Sequence, residues 1–220
     1  MSEKILQKLS HLRSYHKPHL ELSKYMLEAY ERALYPLDLL AIAAMNRSLN
    51  LLDGFCMLIE SKNFIAAAPL VRLQVDNALR FSAAFLVQEP HKFAIEVLKG
   101  TPIRKLQSRD NKKMTDRYLV EKMTEEFPWL PNVYEHTSGY IHLSEKHILN
   151  ACYLSEEKED QAKFSAKISL NDEFVPDDIY SEAIDAFKAA TNILFKYIHG
   201  WAYTKDNPEV LEQLKEQTPR

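Results

Sequence analysis

Glycine is scarce in this chain, and its scarcity limits the folds that the chain can adopt. Only four glycines occur among 220 residues, whereas Leu, Ala, Glu and Lys are abundant. A sheet protein rich in tight turns needs glycine wherever the backbone takes a positive φ, while the abundant residues are good helix formers. The sequence therefore predicts an all-α fold, a helical bundle of about six to seven helices.

Apolar residues at helical spacing divide the chain into a series of predicted helices. The long helices are expected over about 19–34, 36–60, 64–87 and 177–203. Shorter helices are expected over about 91–99, from K-G-T-P to about 127, and over about 132–150. The pattern changes in residues 151–175, where the alternating F-S-A-K-I-S-L predicts a possible small β-hairpin.

The length of the chain suits one domain, which we expect over 1–205, followed by a C-terminal tail over 206–220. Cys56 and Cys152 form no C-x-x-C pair, which favours reduced thiols in a cytoplasmic protein. The first residues contain no long apolar run of the kind found in signal peptides. Charged residues also interrupt every long hydrophobic region, so no contact with a membrane is predicted.

The net charge of −3 and the pI near 6.3 give the chain no global electrostatic footprint for nucleic acid. Residues 101–118 are locally basic, with six Lys or Arg against two Asp. Such a run is typical of a solvated surface, and it could also follow a phosphate backbone.

Small and polar residues interrupt the apolar helix predicted over 36–60. Ala43, Arg47, Asn50 and Gly54 have i, i+4, i+7 and i+11 spacing and therefore share one side of that helix. A mid-helix glycine costs about 0.5 to 1 kcal/mol relative to alanine. Gly54 therefore predicts that another backbone or helix packs closely against this side.

The helix predicted over 64–87 carries alternating charges. Arg72, Asp76 and Arg80 follow one another at steps of four, which predicts a ladder of ion pairs. On an exposed face each pair would contribute only a few tenths of a kcal/mol. Within a buried helix the same charges would form a desolvated site that needs partners.

The stretch Y-E-H-T-S-G-Y-I-H-L-S-E-K-H, residues 134–147, is polar between two apolar regions. Tyr134, Ser138 and His142 also step by four, so they would lie along one side of the helix predicted over 132–150. We predict that this stripe faces the two others and forms a polar pocket, with Ser138 or Asp76 holding His142 in one tautomer. A pocket that also contains arginines would suit an anion such as phosphate.

The candidate ligand-binding residues of this pocket are Arg47, Asn50, Asp76, Tyr134 and Ser138, and the candidate catalytic residues are Arg72 and His142. The same stripes could equally form a buried polar network that fixes the register of the helices.

No metal site or cofactor is predicted. Glu135, His136, His142 and His147 are metal-ligand types, but their i+5 and i+6 spacings point around a helix, unlike the i+4 pair of a zinc helix. The chain also contains no G-x-G-x-x-G, P-loop, G-x-S-x-G or H-E-x-x-H motif.

The segment from M-N-R-S-L to N-A-L-R-F, followed by Y-E-H-T-S-G-Y-I-H-L-S, resembles bacterial helical proteins of unknown function related to the HEPN superfamily. The matching elements are Arg47, the pair Arg72 and Asp76, and the Tyr134, Ser138 and His142 series, within about residues 36–200. The resemblance implies a helical bundle, commonly a homodimer, often connected with RNA cleavage, toxin–antitoxin pairs or phage defence.

The chain departs from the nuclease motif of that superfamily, in which an Arg lies five to seven positions before a His. The corresponding positions before His142 hold Glu135, His136 and Thr137. A nuclease would therefore need Arg72 or Arg47 to supply the missing guanidinium from another helix.

Three functions follow as hypotheses. The first is a binding protein for an anionic ligand or a partner, in a stress or defence setting. The second is a metal-independent RNA endonuclease, with His142 as general base, Arg72 stabilising the phosphate and Arg104 to Arg117 following the RNA backbone. The third is a non-catalytic structural or dimerisation module.

Overall fold

The computed structural model describes residues 1–157, 161–172 and 174–210, and the fold is all-α as predicted. Over those residues the α-helices are α1 (Glu3–Arg13), α2 (His16–Glu28), α3 (Pro36–Glu60), α4 (Phe64–Ser82), α5 (Pro90–Leu98), α6 (Asp116–Thr124), α7 (Leu130–Ser138), α8 (Glu145–Ala151) and α9 (Asp177–Asp206). None of these helices has the length and the apolar character needed to cross a membrane.

Two strands lie in the segment for which a hairpin was predicted. They are β1 (Cys152–Glu157) and β2 (Gln161–Ala166), and they pair antiparallel with Cys152 opposite Ala166. The predicted strand F-S-A-K-I-S-L is only partly correct, because β2 ends at Ala166 and the following residues are not in a strand.

The chain forms two compact units. Unit 1 consists of Met1–Arg13, Asn50–Val75 and Met123–Ala190, and unit 2 consists of Ser14–Leu49, Asp76–Lys122 and the chain from Thr191 onward. Helices α3, α4 and α9 each contribute one part to each unit. Residues 211–220 of the predicted tail lie outside the described residues.

The core of unit 1 contains stacked and edge-to-face aromatic rings. Phe55 of α3 stacks on Phe187 of α9 with 4.7 Å between ring centroids, and Phe64 meets Tyr180 edge-to-face at 5.1 Å. Helix α1, which the sequence reasoning did not predict, buries Ile5, Leu9 and Leu12. Their i, i+4 and i+7 spacing is the amphipathic signal that could have identified this helix.

Unit 2 is held together by buried polar contacts as well as apolar packing. The side-chain amide of Asn77 in α4 donates to the carbonyl of Ala44 in α3 at 2.9 Å. His19 of α2 contacts the ring of Phe195 edge-to-face, with 4.6 Å between centroids, and bonds to Ser48.

The single helix predicted over 132–150 is wrong. Helix α7 ends at Ser138, a turn runs from Gly139 to Leu143, and α8 begins at Glu145. Ser144 starts α8 with a capping box, in which its hydroxyl accepts from the N–H of Lys146 and its own N–H donates to His147 Nδ1. The first backbone N–H groups of a helix have no partners within the helix, and such a cap supplies partners for them. It therefore stabilises a helix that begins at this residue.

The basic helix predicted after K-G-T-P is also wrong over most of its length. Residues 103–105 form one 3₁₀ turn, and an antiparallel bridge then joins Gln107 to Lys113. Asn111 has a φ of 57°, a conformation that asparagine tolerates better than most residues and that does not occur within a regular right-handed α-helix. Only α6, from Asp116, is helical in this region.

Candidate functional site

Two of the predicted site residues meet in unit 1. The guanidinium carbon of Arg72 in α4 lies 3.7 Å from the centroid of the Tyr134 ring in α7. At this distance the cation interacts with the negative face of the ring, a contact that contributes about 0.5 to 2 kcal/mol according to its exposure. The phenol of Tyr134 therefore holds the arginine in place.

The charged ladder of α4 continues as an ion-pair cluster in unit 2, which we call the Asp76 cluster. Asp76 lies 3.6 Å from Arg47 and 3.1 Å from Arg80, and Arg80 also pairs with Asp116. The prediction of an Asp76–Arg80 pair is confirmed. Two arginines face two aspartates, so the cluster is neutral overall and does not attract an anion as a bare arginine pair would.

The predicted stripe of Tyr134, Ser138 and His142 is interrupted at the end of α7. Ser138 donates its hydroxyl proton to the carbonyl of Tyr134 at 2.7 Å, a bond within its own helix. His142 lies in the turn after α7, where it is exposed and forms no hydrogen bond or ion pair with any described residue. The prediction that the three share one side of one helix is therefore wrong for His142.

At Gly54, in the small and polar stripe of α3, the nearest neighbour is a side chain of α4. A Cβ atom added at Gly54 would meet Leu70 Cδ1 at 3.7 Å, which is an ordinary van der Waals distance to a side chain. The prediction of a neighbouring backbone or helix at Gly54 is therefore met by helix α4, which makes the contact through a side chain and not through its backbone. Asn50, on the same helix, is exposed.

A groove that the sequence reasoning missed lies in unit 1, between α4, α7 and α9. Its volume is about 290 Å³. Its apolar lining comes mainly from the three helices: Phe64, Ala68, Val71, Val133, Ile179, Ala183 and Ala186. Its polar lining comes from α7, from the turn and helix that follow it, and from α9: Asn132, His136, Thr137, Tyr140, Lys146 and Glu182.

The helical spacing of these residues explains why the groove forms. Phe64, Ala68 and Val71 are at i, i+4 and i+7 of α4 and form a nearly fully buried wall. Ala183 and Ala186 face the groove from α9. Three alanines therefore lie where larger side chains would have filled the space between the helices, and the space stays open as a groove.

Polar groups from α8 and the turn before it border the groove. The ammonium of Lys146 lies 5.3 Å from the centroid of the Tyr140 ring, which itself packs edge-to-face on Phe64. Burial raises the pKa of Tyr140 above its usual value, and the charge of Asp172 adds to this rise. The phenol of Tyr140 is therefore a neutral hydrogen-bonding group at ordinary pH. The imidazole of His136 bonds through Nδ1 to the carbonyl of Asn132 at 3.0 Å.

The groove could not be predicted from the sequence, because its residues occupy positions that are typical of ordinary helix packing. Ala183 belongs to the apolar face of the last helix, and Ala68 to an alanine run at the start of α4. The available signal was the small size of these residues on otherwise large apolar faces. Such a signal becomes informative only when the two helices are known to be neighbours.

Within residues 1–157, 161–172 and 174–210, no three His, Cys, Asp or Glu side chains come together as metal ligands would. Comparison with protein-family models, with curated proteins and with solved structures finds no match to the chain. The resemblance to HEPN-related proteins therefore stays a prediction.

Proposed function

We propose that the chain is a binding protein that holds the apolar part of a small molecule in the groove between α4, α7 and α9. The observation that carries this proposal is an open volume of about 290 Å³ with a buried apolar wall and a polar border. Ligand sites are typically concave, mostly apolar and provided with a few polar groups that orient the ligand, at volumes from about 300 Å³ upward.

The first hypothesis also assigned a binding function, but it placed the site in the predicted polar pocket. The groove is a different site. The arginines of the Asp76 cluster are already paired with carboxylates, and Arg72 lies against Tyr134. An anion would have to compete with those contacts. The stress or defence setting and the homodimer implied by the HEPN resemblance remain expectations beside this proposal.

The test uses tryptophol, an uncharged indole alcohol, as the apolar probe, with binding followed by NMR chemical-shift changes of the protein. Ala183→Phe fills the groove from α9, and Ala189→Phe places the same side chain on the same helix at a position that does not line the groove. We expect Ala183→Phe to weaken binding by about tenfold or more and Ala189→Phe to leave it unchanged. Equal binding by both variants would overturn the proposal, and so would a wild type that binds neither tryptophol nor any charged indole compound.

RNA cleavage is a second candidate function, supported by the exposure of His142. An imidazole that bonds to no described residue is accessible to a substrate hydroxyl, as a general base must be. The test incubates wild type, His142→Ala and the exposed-histidine control His16→Ala with labelled mixed-sequence RNA in EDTA. This function requires cleavage by wild type and His16→Ala but not by folded His142→Ala. An inactive wild type rejects it.

A further inference from the structure

Two opposite charges line the same groove without pairing to each other. Lys146 reaches the groove from α8 and Glu182 from α9. Among the described residues, neither side chain takes part in an ion pair, and the ammonium of Lys146 lies against the ring of Tyr140 instead. The groove therefore offers a cation and an anion, each able to meet a ligand.

The side chain of Lys146 is held at this border by two neighbours. Its Cε and Cδ atoms lie over Gly139, where an added Cβ would come within 2.9 and 3.0 Å of them. The capping box of Ser144 fixes the start of α8, so the backbone of Lys146 is also anchored. Lys146 is therefore a positioned cation, and Gly139 leaves room for its side chain to cross the turn.

Hydrogen-bonding groups lie beside the two charges. The phenol oxygen of Tyr140 forms no hydrogen bond with the described residues, and His136 uses only Nδ1 within its own helix. Both side chains line the groove together with Asn132. They can donate to or accept from a polar head group that stands between Lys146 and Glu182.

The charges select against ligands that carry only one sign. A simple anion would be attracted by Lys146 but repelled by Glu182. A simple cation would be attracted by Glu182 but repelled by Lys146. A ligand that carries both a positive and a negative charge is attracted by both residues, while its apolar part packs against the wall formed by Phe64, Ala68 and Val71. The chemistry of the lining therefore matches an apolar zwitterion.

We propose that the ligand of this groove is an amino acid or short peptide with a large apolar side chain, whose carboxylate meets Lys146 and whose ammonium meets Glu182. This inference rests on the proposed binding function and adds the class of ligand. Aromatic side chains fit the aromatic wall of Phe64 and Tyr140.

The test compares four indole compounds that differ mainly in charge. They are tryptophol (neutral), indole-3-propionate (anion), tryptamine (cation) and L-tryptophan (zwitterion), each titrated by NMR. The dipeptide glycyl-tryptophan is a fifth probe and distinguishes a peptide from a free amino acid. We expect tryptophan or the dipeptide to bind about tenfold more tightly than either singly charged compound, since each charge-assisted bond is strong.

Variants identify which charge acts on which group. Lys146→Met should remove the advantage of tryptophan over tryptamine, and Glu182→Gln should remove its advantage over indole-3-propionate. Gly139→Ala displaces the Lys146 side chain without changing its charge. It should reduce the advantage of tryptophan over tryptamine, but less than Lys146→Met does. The matched controls are Lys4→Met and Glu135→Gln, exposed residues of unit 1 that do not line the groove, and they should change nothing.

The outcomes separate this inference from the proposed function. Tight binding of tryptophol without any preference for charge would keep the binding function and overturn the zwitterion. A preference for indole-3-propionate over tryptophan would overturn it in favour of an anion site. Failure of all five probes would overturn both.

Discussion

Lys205 and Asp38 form an ion pair in which both side chains are fully buried, with Lys205 Nζ 3.0 Å from Asp38 Oδ2. Asp38 also accepts from the indole N–H of Trp201 at 2.7 Å and from the backbone N–H of Tyr35 at 2.7 Å. Lys205 donates to the carbonyl of Met26 at 3.0 Å. Each charge thus has several partners, which is the condition under which a buried pair can be tolerated. Within unit 2, this pair joins the last turn of α9 to the first turn of α3.

Replacing Lys205 with methionine should destabilise the protein strongly. The variant keeps much of the apolar stem but leaves the Asp38 carboxylate buried without its cation. Removal of one partner from a buried pair costs about 3 to 5 kcal/mol. Urea unfolding followed by circular dichroism measures the change.

The control for this prediction is Lys24→Met on α2, where the lysine is exposed and lies 4.0 Å from Glu28. Pairs of this exposed i, i+4 kind contribute about 0.3 to 0.5 kcal/mol. If Lys205→Met cost no more than Lys24→Met, the buried pair would not have the role that we assign to it.

The stability of the protein should fall as the pH drops below about 6.5, the ordinary pKa of histidine. Burial lowers the pKa of His19, the nearby His16 adds to the lowering, and the hydrogen bond to the carbonyl of Tyr15 opposes it. A lowered folded pKa means that the unfolded chain takes up the proton first, so acid favours unfolding. The contribution of neutral His19 to stability is fully present above the pKa of the unfolded chain. It is lost progressively as the pH falls towards the lower pKa of His19 in the folded protein.

Urea unfolding at about pH 7.5 and at about pH 5.5 measures this loss in wild type and in His19→Gln. The glutamine cannot titrate, so the variant should lose less stability between the two pH values, even if it is less stable at both. Burial also lowers the pKa of His91, so part of the slope should remain. A slope unchanged in His19→Gln would contradict the assignment.

The residues of the predicted polar pocket should differ sharply in their contribution to stability. Asp76→Ala leaves Arg80 without one of its two carboxylates, and Nη1 of Arg80 is already buried with no hydrogen bond to the described residues. Loss of a hydrogen bond to a charged group costs about 1.5 to 3 kcal/mol. His142→Ala removes an exposed side chain and should change the free energy of unfolding by less than about 0.5 kcal/mol. Equal losses in thermal melts of the two variants would instead place His142 in a structural network.

Some helix starts and ends are set by residues that are close together in the sequence, and these could be predicted. Helix α3 has the predicted bounds because Pro36 suits a first helical turn and the polar residues after Glu60 end the apolar pattern. The start of α8 at Ser144 was missed, although a serine with a side-chain partner three residues later is also a local signal. Here the partner is His147 in place of the more common glutamate.

Contacts between distant residues could be predicted only in part. Arg72 and Tyr134 were placed in one site, and they do meet. In the sequence, Asp38 is one of the charged residues that interrupt an apolar region, and nothing near it indicates that Lys205 will reach it from α9. The groove was missed for the same reason, since it depends on small residues of helices that are far apart in the chain.

The two cysteines should differ in their reaction with thiol reagents. Cys56 is fully buried, and burial raises the pKa of its thiol to about 11, whereas Cys152, at the start of β1, is half-buried. The thiolate is the reactive form, so Cys56 should be inert in the native protein. With excess Ellman's reagent at about pH 8, near the ordinary thiol pKa, we expect one thiol to react quickly and the second only on unfolding. Cys152→Ser should remove the fast phase and Cys56→Ser should retain it; two equal rates in the folded wild type would show that the core around Cys56 opens readily.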